Sequence, residues 1–338
     1  MQALADILRF ATLGCLALFI PLLLRSNDRR EQVYTASMLS FTIICYLLVD
    51  WPPLQGNRGF FILLPFAFSM PFVFWLSSRA LFDDHFRIKG WMGASILGYV
   101  ALQTALFFLQ QSGKAPASGL TYHALSLLMV ALAIVEAGRN RAADLIVSRQ
   151  RFRNLFIILT ALLIGLTVLT RMSFPVGETP LWIELLHLAF IAGLTFYFAV
   201  RLLAFQPGFL APKETPDQPS PKPEIDRRLV DQLLQLMEAE KYYRTEGLTI
   251  RQLAEKMEVK EYKLRQTINQ HLGFRNFNDF LNSYRIQEAC ALLTDPGRRE
   301  FTVLEIAYEM GYLSLAPFNK AFRENTGMTP TEYRKKNS

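Results

Sequence analysis

The chain has 338 residues, of which 51% are hydrophobic and 19% are charged, and its formal net charge is +7. Residues 1–206 contain 16 Lys and Arg against 10 Asp and Glu, whereas residues 207–338 contain 20 against 19. The basic excess therefore lies in the apolar part of the chain. There it indicates how the predicted helices are oriented in a membrane, and it does not indicate nucleic-acid binding. The three cysteines, Cys15, Cys45 and Cys290, argue against a disulfide framework and are expected to be reduced.

Seven apolar stretches are long enough, or nearly so, to cross a hydrocarbon core of about 30 Å as helices. The first stretch is not typical of a signal peptide, because its positive charges follow the apolar run and no small-residue cleavage site is evident. The predicted spans are Leu4–Leu24, Tyr34–Trp51, Gly59–Ser78, Gly90–Gln110, Leu120–Ala137, Asn154–Thr170 and Leu181–Leu203.

The loops between these spans differ in charge. The loops after spans one, three and five carry eleven Lys and Arg, whereas the alternate loops carry Arg58, Lys114 and Arg171. Since positive loops stay in the cytoplasm, the N-terminus is predicted outside and the C-terminus inside. An odd number of spans, such as seven, likewise places the two termini on opposite sides of the membrane.

Two domains and a linker between them follow from this pattern. Residues 1–205 are predicted to form a seven-span sensor domain in the inner membrane. Residues 206–223 contain six prolines and are predicted to form a semi-rigid linker, extending about 3.1 Å per residue. Residues 224–338 show helical periodicity throughout and are predicted to form an all-α cytoplasmic domain.

Two helix-turn-helix patterns lie in the last domain. In the first, Thr249 is predicted to cap a short helix, and a second helix turns Leu264 and Ile268 inward. Such a pair lets the second helix enter a DNA major groove. The outward residues of this second helix are predicted to be Tyr262, Arg265, Gln266 and Asn269.

The second pattern repeats this design. Gly311 supplies the turn and Ser314 is predicted to cap the next helix, with Pro317 in its first turn. Gly327 can adopt the left-handed backbone conformation that ends this helix, and Thr329 and Glu332 are then predicted to form a capping box at the start of the next helix. Phe318, Ala321 and Phe322 face inward; Asn319, Lys320 and Arg323 face outward.

The stretches "IAYEMGY" and "FNKAFRENTGMTPTEYRK" resemble the second helix-turn-helix of AraC/XylS-type transcriptional regulators. The segment from Leu248 through "FNDFLNSYRIQEACALL" resembles the first. This resemblance covers roughly residues 226–336 and implies two units joined by a long helix, which read adjacent major-groove segments of double-stranded DNA. Carried over by position, the base-reading residues are Tyr262, Arg265 and Gln266 in the first unit, and Leu315, Ala316, Asn319 and Lys320 in the second.

The sequence departs from the family at several points. Glu258 occupies a turn position where glycine is usual, which predicts local strain. Leu315, Ala316 and Pro317 replace polar residues at the head of the second reading helix, which favours shape and phosphate contacts there. The family's soluble ligand-binding domain is absent from the pattern, so its ligands are not carried over.

Ionisable residues inside predicted spans are candidates for signal sensing. In the predicted orientation, five lie near the outer leaflet: Asp50, His123, Arg171, Glu184 and His187. Glu184 and His187 share one helix face. A polar pocket open to the outside would bind a small ligand, a metal ion or protons, whereas the alternative is that these residues only line the membrane interface.

Other function classes have less support. The last span contains no lysine for a retinal Schiff base, and no catalytic constellation, metal-ligand spacing or cofactor motif is evident, so an enzyme is not expected. The sequence therefore predicts a membrane-bound one-component regulator that responds to an unknown signal and acts as a homodimer. The alternative is a transporter-like or scaffold protein whose tail docks onto a protein partner.

Overall fold

The computed structural model of the chain describes residues 1–25, 30–54, 57–112, 118–139, 142–146, 180–204 and 227–337, with isolated positions between 150 and 170. Within these residues the elements are helices, and the one β-type pairing is an isolated antiparallel bridge between Asp144 and Asn276. The predicted all-α fold class is therefore confirmed. Two compact units are present: the N-terminal unit is Met1–Arg139 with Arg153–Thr215, and the C-terminal unit is Asn140–Phe152 with Pro216–Ser338.

The described part of the N-terminal unit consists of long apolar helices. Five of them are long and apolar enough to cross a membrane, and a sixth has a shorter apolar stretch, Leu181–Tyr197. Most of the predicted sixth span, Asn154–Thr170, lies outside the described residues, so the count of seven stays a prediction. The helices are α1 Gln2–Leu24, α2 Arg30–Val49, α3 Arg58–Phe82, α4 Gly90–Gln111, α5 Ser118–Gly138 and α6 Leu181–Ala204.

Helix α3 is the centre of this unit, because it packs against α2, α4 and α5, while α1 packs against α2 and α6. Leu64, Phe68, Phe72 and Leu76 are spaced four residues apart on α3, and all four are buried. Residues at this spacing share one helix face, which explains how α3 holds its neighbours. Many large apolar side chains elsewhere in the unit remain exposed within the chain, as expected for helices that face lipid.

The C-terminal unit contains seven described helices and the short segment Ala142–Ile146, which the sequence analysis placed in the N-terminal domain. The predicted linker, residues 206–223, lies outside the described residues. The helices are α7 Arg227–Glu238, α8 Ile250–Lys256, α9 Glu261–Gln270, α10 Phe277–Thr294, α11 Val303–Glu309, α12 Leu315–Thr326 and α13 Pro330–Asn337.

Helix α10 joins two separate hydrophobic cores. Its first half contributes Phe277 and Phe280 to a core with α7, α8 and α9. Its second half contributes Ala289 and Leu293 to a core with α11 and α12. Each helix-turn-helix unit therefore has its own core, and one continuous helix fixes the spacing between them.

Candidate nucleic-acid interface

The first helix of each helix-turn-helix unit begins with the same cap. The Thr249 hydroxyl accepts from the amide of Gln252, and the Gln252 side chain accepts in return from the amide of Thr249. Thr302 and Glu305 form the equivalent capping box at the start of α11. The predicted cap at Thr249 is confirmed, and the reciprocal bonds satisfy amide groups that a helix start leaves without partners.

The turns that follow these helices also share one geometry. After α8, the amide of Val259 donates to the Ala254 carbonyl (3.0 Å); after α11, the amide of Tyr312 donates to the Ala307 carbonyl (3.0 Å). Both turns need a left-handed residue, which is Glu258 (φ 56°) in the first unit and Gly311 (φ 76°) in the second. The expected strain at Glu258 therefore has a structural basis, because a Cβ disfavours this conformation.

Helix α9 presents only part of its predicted reading face to solvent. Tyr262 is 55% exposed and Gln266 is also exposed. Asn269 is half-buried, and its amide nitrogen donates to the carbonyl of Phe274 (2.9 Å). Asn269 therefore stabilises the end of α9 in this structure.

Arg265 was predicted to face outward, but it is buried and only 7% exposed. Its Nη1 donates to the carbonyl of Asp144 (2.6 Å), its Nη2 to the carbonyl of Ala142 (2.8 Å), and its Nε to Glu261 (2.8 Å). Periodicity along α9 could not indicate this burial, because the covering residues lie more than 100 positions away in the chain. Its role in reading bases stays a prediction.

Helix α12 exposes a small basic face. Ala316, Lys320 and Arg323 are exposed, Asn319 is half-buried, and Leu315 packs against the second core. Lys320 Nζ lies 3.9 Å from Glu324 Oε1, and an exposed pair at this distance holds the lysine only weakly. The lysine can therefore turn toward a bound phosphate or base.

Three of the predicted helix-end features are confirmed and one is not. Gly311 and Gly327 both take positive φ, and Thr329 exchanges hydrogen bonds with Glu332. Ser314 has the extended backbone of an N-cap, but its side chain makes no capping hydrogen bond. The predicted cap at Ser314 is therefore wrong, although the helix begins directly after it.

An ion network within the C-terminal unit connects the two helix-turn-helix units, and the sequence analysis did not predict it. Glu288, on α10, accepts from Tyr243 (2.8 Å) and from Arg244 (2.6 Å and 2.8 Å), while Arg244 also lies 3.4 Å from Glu309 on α11. Burial alone would raise the pKa of Glu288, but the hydrogen bonds from Arg244, Lys241 and Tyr243 outweigh it and lower the pKa to about 2. The carboxylate is therefore ionised at neutral pH and holds both units to α10.

A second charged group lies in the N-terminal unit, around Arg9 of α1. The Arg9 side chain is fully buried, and its Nη2 lies 2.9 Å from Glu184 and 3.8 Å from Asp50. Asp6 accepts from Trp51 (3.2 Å) and lies 3.5 Å from Arg9. We call Asp6, Arg9, Asp50 and Glu184 the arginine cluster. It connects α1, α6 and the residue that follows α2.

The arginine cluster unites two of the five predicted sensing residues, Asp50 and Glu184. His187 lies one turn further along α6 and contacts the carbonyl of Ile183 through its Nδ1, while the His123 ring packs edge-on against Tyr122. Arg171 lies outside the described residues. Arg9 was not predicted as a sensing residue, although a charge inside an apolar span is the signal that could have found it.

The C-terminal part of the chain is similar in sequence to a known protein family and to two proteins of known structure. A family described as "Helix-turn-helix domain" matches residues 253–336. The C-terminal domain of AraT, a response regulator from Geobacillus stearothermophilus, is 30% identical over 32% of this chain and 83% of that chain, with a TM-score of 0.28. A protein of unknown function from Listeria innocua is 27% identical over 32% of this chain and 98% of that chain, with a TM-score of 0.29.

No curated protein matched the chain significantly. The family match begins at Leu253, inside α8, and ends at Lys336, inside α13. It therefore covers most of the first helix-turn-helix unit and all of α10, α11 and α12. The C-terminal part of the chain thus belongs to the AraC-type helix-turn-helix DNA-binding family.

Proposed function

We propose that the protein is a membrane-bound one-component transcriptional regulator, in which an N-terminal sensor controls a DNA-binding domain directly. The observation that carries this proposal is the order of the chain: apolar helices long enough to cross a membrane precede an AraC-type domain. A signal received at the membrane would then reach DNA without a separate messenger protein.

The charge of the loops supports a cytoplasmic C-terminal domain. Eleven Lys and Arg lie in the loops after the first, third and fifth predicted spans, and three lie in the alternate loops. The positive-inside rule then places the N-terminus outside the inner membrane and the DNA-binding domain in the cytoplasm. DNA is accessible on that side.

We propose that α9 and α12 are the reading helices. Tyr262, Gln266, Lys320 and Arg323 offer exposed hydrogen-bond donors, and Asn319 lies beside Lys320 at the half-buried edge of α12. Amide side chains suit adenine, and basic ones suit guanine or phosphate. Because α10 fixes the spacing of the two units, both helices would engage one face of a duplex.

Selection of random duplex DNA by the full chain in lipid nanodiscs tests the regulator proposal. We expect enrichment of one sequence with two half-sites, and loss of that enrichment in the Asn319→Ala/Lys320→Ala variant. Lys114→Ala is a matched control, because it removes a positive charge from a loop predicted on the other side of the membrane. Enrichment of no sequence, together with capture of a protein by the C-terminal domain, would favour the scaffold alternative.

We further propose that the arginine cluster is the signal-sensing site. Three carboxylates surround one guanidinium, so the cluster carries excess negative charge and would bind a proton, a cation or a cationic ligand. Because it joins α1, α6 and the end of α2, a change in its charge would shift the packing of these helices. His187, on the same face of α6 as Glu184, would add an imidazole to this site.

A reporter driven by the selected DNA sequence tests the sensing site. With external pH varied from about 5 to about 8 and with divalent metals as probes, we expect Glu184→Ala/His187→Ala to abolish the response without changing membrane level or DNA affinity. Glu31→Gln is a matched control, because Glu31 also pairs with an arginine, Arg87 (3.1 Å), but lies at the other end of α2 from Asp50. A double variant that responds normally would remove this pair from the sensing site.

A further inference from the structure

The first helix-turn-helix unit carries a docking surface for a segment of its own chain. Ala142–Ile146, here called the docking segment, lies between α5 and the sixth predicted span in the sequence. It pairs with the residues around the start of α10: the Leu145 amide donates to the Arg275 carbonyl (3.1 Å), and the Phe277 amide donates to the Ala143 carbonyl (2.7 Å). These bonds flank the antiparallel bridge between Asp144 and Asn276.

The docking segment is anchored by an apolar side chain as well. Leu145 is only 2% exposed and belongs to the same core as Ile268 of α9 and Phe277 of α10. Asp144 is fully buried, and its Oδ1 accepts from the amide of Ile146 (3.0 Å), which holds the segment in a turn. The contact therefore combines backbone pairing, core packing and a local turn.

The docking segment also accepts hydrogen bonds from Arg265, the residue of α9 that the family resemblance assigns to base reading. The two terminal guanidinium nitrogens of Arg265 donate to the carbonyls of Ala142 and Asp144, and its Nε donates to Glu261. A guanine is read by an arginine that directs two donors at its O6 and N7 atoms. A guanidinium aimed at the docking segment cannot meet a guanine at the same time.

We propose that the docking segment is the intramolecular partner that withholds Arg265 from DNA and couples the membrane domain to base reading. The inference rests on the proposed function. Because the segment lies between two predicted spans, a rearrangement of these spans would pull it from the first unit. Release turns Arg265 toward the major groove, so the released protein reads one more base pair than the docked protein.

A reversible disulfide tests this proposal in the full chain in nanodiscs, with Cys15, Cys45 and Cys290 replaced by serine. Asp144 and Asn276 form a non-hydrogen-bonded antiparallel pair, whose Cα atoms lie about 4.5 Å apart in such ladders, within the range that a disulfide spans. Asp144→Cys with Asn276→Cys should therefore lock the docked state on oxidation. The two single-cysteine variants control for the lost side chains.

We expect the oxidised protein to bind the selected duplex about 5- to 150-fold more weakly than the reduced protein, the range of one bidentate base contact. In the reduced protein, Arg265→Ala should cause a loss of similar size and relax specificity at one base pair. In the oxidised protein the same substitution should change neither affinity nor specificity.

A second variant releases the docking segment without altering Arg265. Leu145→Asp places a charge in the core and should raise affinity for the selected duplex, whereas Ile146→Asp, at a half-buried position, should have a smaller effect. The proposal is overturned if the disulfide does not form, or if oxidised and reduced proteins bind equally. Tighter binding by the oxidised protein also overturns it. Failure of every form to select any duplex would instead refute DNA reading itself.

Discussion

One residue distinguishes the two turns that end α8 and α11. Glu258 and Gly311 both adopt positive φ, but only glycine does so without a steric cost. Gly311 is required for a second reason, since a Cβ added there would lie 2.4 Å from the carbonyl oxygen of Arg244. Glu258 is exposed, so its cost is limited to backbone strain.

We expect Glu258→Gly to stabilise the C-terminal unit by up to about 1 kcal/mol, because relief of left-handed strain exceeds the added entropy of the unfolded chain. Calorimetry of the full chain in nanodiscs would measure this. The contrasting change, Gly311→Ala, should destabilise the unit by at least about 2 kcal/mol, since both φ and a backbone contact oppose it. An unchanged transition temperature in both variants would contradict this account of the turns.

The side chains of α12 permit a prediction about base reading. We expect Asn319→Ala and Lys320→Ala each to cost about 1–3 kcal/mol in DNA affinity and to relax specificity at one position. Binding to a panel of single-base variants of the selected duplex would show it. Lys336→Ala, at an exposed site in α13, should instead weaken all duplexes equally and lower the salt dependence. If Lys320→Ala behaves like Lys336→Ala, Lys320 contacts phosphate.

At the scale of elements, α10 organises the C-terminal unit. Besides joining both cores, it carries Arg285, whose Nε donates to the Tyr243 carbonyl (2.7 Å) and whose guanidinium lies 5.0 Å from the centre of the Tyr312 ring. Arg285 and Glu288 thus fix the segment before α8 and the turn after α11 to the same helix. Polar contacts from one helix therefore set the relative orientation of the two reading helices.

The pKa of Glu288 gives this network a pH dependence. Because the pKa is lowered to about 2 in the folded protein, the stability it contributes is complete above the unfolded value of about 4.3 and is lost as pH falls through about 2. We expect Glu288→Gln to lower the melting temperature of the C-terminal unit at neutral pH. The difference from wild type should shrink between about pH 4 and pH 2. A constant difference over this range would show that ionisation of Glu288 is not the cause.

At the scale of the whole molecule, we expect two copies to pair in the membrane. Tethering raises the effective concentration of a second domain at the second half-site. Helix α4 offers a surface for pairing, because Leu97 is 72% exposed and a Cβ added at Gly93 or Gly98 would have no atom of the described residues within 4 Å. Small residues of this kind allow close approach of two helices in lipid.

Cysteine crosslinking in membranes tests this pairing. In a chain without its native cysteines, Leu97→Cys should give dimers, and addition of the selected DNA should increase their yield. Leu18→Cys, on α1, is a matched control, since Leu18 is similarly exposed at 66%. Monomers alone from both variants, with and without DNA, would count decisively against a dimer.

Much of the fold could be predicted because its signals are local. Apolar runs predicted α1 to α5, and the periodicity, caps and turn glycines around Thr249, Gly311 and Gly327 predicted the helix-turn-helix units. Each of these signals acts within a few residues of chain, where backbone hydrogen bonds and side-chain spacing decide the structure. The AraC-type family was predicted from such local motifs and is confirmed.

The sequence by itself determined most of the described helices, the caps at Thr249 and Thr329, and the class of the C-terminal domain. Only the tertiary structure decided which charges meet: Arg9 contacts Glu184 across 175 positions, and Arg265 contacts Asp144 across 121. A buried guanidinium must find acceptors wherever the fold brings them, since leaving its donors unpaired is costly. Long-range polar pairing therefore placed the candidate sensing cluster and covered Arg265, and no local pattern in the chain encodes either contact.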